Sequence, residues 1–97
     1  MPVTFDQKLA PTQDTLINVI EGESVLLNLK SESYFGLDQV GTRMWTLLTT
    51  SDSIQSAYEA LLDEFDVGAD RLRQDMGELI EKLIANGLVE VAGEKAS

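Results

Sequence analysis

The chain has 97 residues, 43% of them hydrophobic, which supplies one modest core and therefore one domain. Seven Lys and Arg against 17 Asp and Glu leave a formal net charge of −10, a field that repels phosphate backbones and anionic lipid surfaces, so neither nucleic acid nor a membrane is an expected partner. The sequence has no Cys and no His, which excludes disulfides, thiol chemistry, imidazole bases and thiolate or imidazole metal sites.

Residues 1–12 are mixed in character and broken by Pro2 and Pro11; they read as an arm whose order depends on docking. No basic start leads into an apolar stretch, and no run approaches the ~20 apolar residues of a membrane span, so a cytoplasmic location is expected. The domain proper is expected over residues 13–91, with a polar tail at 92–97. Thr15 to Ile20 and Val25 to Leu29 are rich in Ile, Val and Leu, and the short break between them contains Gly22, which is the pattern of a hairpin. After Lys30-Ser31-Glu32 comes a third strand, Ser33 to Leu37, with Phe35 and Leu37 on one face and Tyr34 and Gly36 on the other.

Asp38 follows at once and reads as an N-cap, its carboxylate placed to accept the free N–H groups of a first turn. Val40, Met44, Leu47 and Leu48 recur at helical spacing with Trp45 beside them, up to the Thr-rich stretch near Thr50. Asp52 or Ser53 starts a second helix, striped by Ile54, Ala57, Tyr58, Leu61, Leu62 and Phe65 and ended by Gly68. Asp70 opens a third and longest helix, with Leu72, Met76, Leu79, Ile80, Leu83 and Ile84 on one broad face and Asn86-Gly87 as its stop. Leu88 to Val91 form a candidate closing strand.

Three strands, three helices and a closing Gly87-Leu88-Val89 resemble the PqqD-like proteins, also called RiPP recognition elements. The residues that carry the resemblance are Tyr34-Phe35, Leu37, Gly41 and Trp45 at the strand–helix join, then Leu72 with Asp75, and Leu83 with Gly87-Leu88, within roughly residues 13 to 91. The resemblance implies an α+β, winged-helix-like domain: a three-stranded antiparallel sheet followed by three helices. It implies a non-catalytic module without a cofactor. Such a module binds the leader segment of a ribosomally made precursor peptide and presents it to a modifying enzyme such as a radical enzyme, cyclase or protease. The leader would add a strand antiparallel to Ser33–Leu37 and lie in the groove beside the third helix. An edge strand with unpaired N–H and C=O groups accepts another chain in this way.

On that basis the expected peptide contacts are Ser33, Tyr34, Phe35 and Gly36 on the strand, and Leu72, Arg73, Met76, Gly77 and Ile80 on the third helix. Each has a plainer reading beside it. Trp45 and Tyr58 sit on apolar helical stripes and read as core, and Phe35 with Leu37 faces the helices. Gly36 is either a bulge, a weak point in the strand or a place for close approach by another backbone. Gly77, costly by ~1 kcal/mol in mid-helix, is explained either by crowding against the core or by a docked peptide on the Arg73, Gly77, Ile80, Ile84 flank. Arg71 and Arg73 oppose the helix dipole, which suggests either an acidic leader or internal pairing with Asp70 or Glu64. Asp75 reads as a structural hydrogen-bonding residue.

The abundant carboxylates read as a solvated surface, since adjacent positions such as Asp63 and Glu64 do not face each other on a helix. Two other function classes compete. A winged-helix transcription regulator shares the element order, but only Arg71 and Arg73 would serve its recognition helix. A carrier protein is suggested by Asp52-Ser53-Ile54, similar to a phosphopantetheine attachment tripeptide, but the strand-rich first third does not suit an all-helical carrier.

Overall fold

The computed structural model describes residues 4–94, in the order β1 (Gln7–Pro11), β2 (Thr15–Ile20), β3 (Glu23–Asn28), β4 (Ser33–Leu37), α1 (Gln39–Thr50), α2 (Ile54–Glu64), α3 (Ala69–Ala85) and β5 (Val89–Glu94). β2, β3 and β4 form an antiparallel meander with β3 in the centre, and the three helices follow. This is the winged-helix-like α+β arrangement expected from the sequence.

Local chemistry sets the turns. Glu21 and Gly22 both take positive φ, 54° and 84°, the signature of a tight two-residue hairpin whose twist matches the strands it joins. At the second turn the Asn28 side-chain carbonyl accepts from Lys30 N at 2.9 Å and Ser31 N at 3.2 Å, and Glu32 takes φ of 59°. Asp38 caps α1 as expected, its Oδ1 accepting from Gly41 N at 2.7 Å. Ser53 caps α2 by accepting from Ser56 N at 3.1 Å. It is buried, so the attachment serine of the carrier reading is instead a structural cap.

The segment expected as an arm is, from residue 7, part of the folded body. β1 pairs antiparallel with β5 in a second, two-stranded sheet, with a register shift between Lys8 and Leu9. Leu9 is fully buried, and the Gln55 N–H donates to the Phe5 carbonyl at 2.7 Å, holding the chain entry against α2. Pro11 is compatible with this because it stands at the end of the strand, where a missing N–H removes little. The sequence reading missed the pairing because β1's partner lies some eighty residues away at the other end of the chain.

The core gathers Leu9, Leu26 and Leu37 from three strands, Met44, Trp45 and Leu48 from α1, Ile54, Ala57, Tyr58 and Leu61 from α2, and Leu72, Met76, Ile80 and Leu83 from α3, closed by Leu88 and Val89. Trp45 and Tyr58 are therefore core residues, and the Tyr58 hydroxyl donates to the Ala69 carbonyl at 3.1 Å. Gly87, at φ of 69°, turns the chain out of α3, with its N–H on Ile84 O and that of Leu88 on Leu83 O.

Candidate functional site

β4 is an outer strand of its sheet, and among the described residues no strand pairs with the side of its ladder away from β3. That edge continues into α1 without a linker, and two contacts lock the join. Asp38 caps the helix, and Gly41 lies so close to the strand end that a Cβ there would stand 3.1 Å from Leu37 Cδ2. From β3, the Ser24 hydroxyl shares a buried 2.7 Å hydrogen bond with that of Thr42 in the first turn of α1. The open edge is thus held in a fixed position relative to the helices.

Alongside it runs an open groove of about 460 Å³ between β4 with the start of α1 on one side and α3 on the other. Its apolar lining is Phe35, Leu37, Val40, Met44 and Leu79, and its polar rim is Asp38, Asp75, Glu78 and Lys82. Asp75 is already engaged, its carboxylate 3.3 Å from Arg71 one turn earlier. An open ladder over an apolar floor receives an extended chain, with main-chain bonds to the edge and alternate side chains set into the groove.

Ser33, Tyr34, Phe35 and Gly36 all lie on β4. Tyr34 is 77% exposed on the outer sheet face, while Ser33 and Phe35 are half-buried on the inner one. β3 and β4 pair without a register shift, so Gly36 is no bulge, and nothing lies within 4 Å of where its Cβ would be. The outer sheet face is therefore unobstructed at this residue.

The helix residues require correction. Leu72, Met76 and Ile80 are at most 3% exposed and pack in the core, so their side chains have no surface to offer a peptide. Arg73 lies on the other flank, its guanidinium 4.1 Å from the centroid of the Phe5 ring and 5.6 Å from that of Tyr58. Phe5 itself meets Tyr58 edge-on at 5.7 Å. At 100° per residue Gly77 and Ile84 share that flank, about half a turn from the groove-lining positions 75, 78, 79 and 82. Apart from the backbone of α3 itself, no atom lies within 4 Å of a Cβ built on Gly77, so core crowding does not account for it. Glu64 pairs with Arg43 and not with Arg71 or Arg73, Nε to carboxylate at 2.9 Å, joining α2 to α1. That hydrogen bond holds the Glu64 carboxyl below, and the Arg43 guanidinium above, their ordinary pKa values.

The signal that would have found the groove flank is the face of α3 one step round from the apolar stripe, where Asp75, Glu78 and Lys82 border the half-buried Leu79. Polar residues next to a stripe ordinarily mean solvent, and only the position of β4 turns them into a groove wall.

The sequence profile described as Coenzyme PQQ synthesis protein D (PqqD) matches residues 23–89. Among solved structures, TbiB1 in complex with the TbiA(beta) leader peptide superposes with a TM-score of 0.77 at 30% identity, covering 84% of this chain and 94% of that one. Lasso peptide synthetase B1 complexed with the leader peptide gives 0.76 at 19% identity, covering 86% and 98%, a likeness of fold. No curated protein sequence matches the chain.

Proposed function

The chain belongs to the PqqD family, and from that premise we propose that it is a non-catalytic module that captures the leader segment of a ribosomally made precursor peptide and presents it to a peptide-modifying enzyme. The observation that carries this reading is the open edge of β4 beside the groove lined by Leu79. The two structural neighbours, both complexed with leader peptides, support it. The leader adds a strand to Ser33–Leu37 and sets its inward side chains against Phe35, Val40, Met44 and Leu79, beneath the polar rim of α3. Tyr34, on the outer face, flanks the added strand. The receiving enzyme would be a radical enzyme, cyclase or protease.

A winged-helix regulator gains no support: the net charge of −10 opposes a phosphate backbone, and Arg73 is stacked on Phe5. No helix among the described residues is long and apolar enough to cross a membrane.

The test is an NMR titration of the labelled chain with the candidate leader, comparing the parent with Val40→Asp. Val40 is 45% exposed and at the start of α1, where an acidic residue suits the helix dipole, so the variant should fold. Amides of residues 33–37 and of the α3 positions 75, 78, 79 and 82 should move, and Val40→Asp should bind at least about tenfold more weakly by placing a carboxylate in the apolar lining. Shifts clustered on α2 around Tyr58, or unchanged binding by Val40→Asp, would defeat this binding mode.

A further inference from the structure

Among the described residues, the opposite edge of the same sheet has no strand paired to it either. β2 is the other outer strand, with one side of its ladder open along Thr15–Ile20. Unlike β4 it is apolar and exposed on both faces: Leu16 is 54% and Ile20 64% exposed on one, Ile17 40% and Val19 53% on the other. The outer face continues inward, because Leu16 stands opposite Leu27, which in turn stands opposite Tyr34. A strand of this kind, uncharged, without Pro and largely aliphatic, invites edge-to-edge pairing, and proteins ordinarily blunt such edges with charge, bulges or cover. β2 pairs with β3 over its full length without a bulge, and its six residues carry no charge.

The charges at its ends select the occupant. If two copies paired β2 against β2 over the whole strand, Thr15 would face Ile20 and Asp14 would face Glu21 at both ends. Like charges would then stand directly opposite one another on two chains of −10 each. The same carboxylates favour a partner whose own charges there are positive. We propose that the β2 edge is a second docking surface, separate from the groove at β4, for a different protein chain that presents an apolar strand bordered by Lys or Arg. With β3 between the two edges, occupancy of one leaves the other open. This surface stands or falls independently of leader binding.

Two synthetic peptides with the same alternating Thr-Val strand, one flanked by Lys and the other by Glu, are titrated into the labelled full chain and followed by NMR. The Lys-flanked peptide should shift the amides of residues 14–21, leave those of 33–37 in place, and bind at least about tenfold tighter than the Glu-flanked one at low salt, with the gap narrowing as salt rises. The double variant Ile17→Lys with Val19→Lys, at exposed positions and therefore expected to fold, should abolish those shifts. Equal binding of the two peptides, shifts only at residues 33–37, an unaffected double variant or no binding at all would overturn the proposal. So would a concentration-dependent dimer with protected β2 amides, which would assign the edge to a second copy.

Discussion

Asn28 joins three parts of the molecule through one side chain. Its carbonyl accepts from the two N–H groups of the β3–β4 turn, and its Nδ2 donates to the carbonyls of Asn86 at 3.0 Å and Gly87 at 3.1 Å, where α3 ends. It is 7% exposed, so removing it leaves several partly buried backbone groups without partners. Asn28→Ala should therefore destabilise the fold by about 1–3 kcal/mol in urea denaturation. Asn28→Asp should be no better, because it keeps the acceptor for the turn but sets a carboxylate against two carbonyl oxygens. A loss within experimental error for both would show that water replaces the side chain. Apolar residues were legible where periodicity decides: Met44, Trp45, Ile54, Ala57, Tyr58 and Leu61 are core as their spacing predicts. Asn28 was not, since a polar residue at the end of a strand looks like the beginning of a turn, and its second role depends on a partner in distant sequence.

The elements themselves were largely readable, and what escaped was how each is turned. β2 spans the expected residues of the hairpin, and what composition did not tell is that its aliphatic side chains are exposed on both faces. The broad apolar face of α3 was found, yet Leu72, Met76 and Ile80 on it were expected to meet a peptide; with Leu83 they are all buried, so the core uses that face. The placement of α2 against α1 draws on a link that no local pattern announces, the Arg43–Glu64 pair. The folded state lowers the Glu64 pKa, so the pair's contribution through that group is present above the unfolded carboxylate value and is lost as pH falls through the lowered folded one. Arg43 is shifted upward and stays charged across this window. Both side chains are well exposed, so solvent and salt screen the effect and it should be small. Thermal melts of the parent and Glu64→Gln should differ slightly at neutral pH and converge in acid. A difference that persists unchanged through the carboxylate range would mean that Glu64 acts by packing and not by charge.

At the scale of the whole molecule, the two chain ends close the fold. β1 and β5 pair with each other, and Thr12 ties the same region to the end of α3, its hydroxyl donating to the Gly87 carbonyl at 2.7 Å and its N–H to the Leu88 carbonyl at 3.1 Å. α1 and α2 both contact β1, so the second sheet is an outer wall of the core rather than an appendage. Its energetic centre is Leu9, fully buried in the core cluster on a strand that packs against α1 and α2. If the first dozen residues were a docked but dispensable arm, Leu9→Ala would affect little beyond local order, as an exposed substitution does. If β1 is an integral wall, the same change leaves a cavity in the core, and the loss should be about 2–5 kcal/mol. That is a large part of the total for a domain of this size, ~5–15 kcal/mol. Leu16→Ala on exposed β2 is the matched control, with the same chemistry removed from a 54% exposed position, and should stay within about 0.5 kcal/mol of the parent. Urea denaturation of both variants decides the matter: comparable losses would return residues 7–11 to the status of an arm, and a Leu9→Ala loss several-fold greater would make β1 a structural condition for holding α1, and with it the β4 edge, in place.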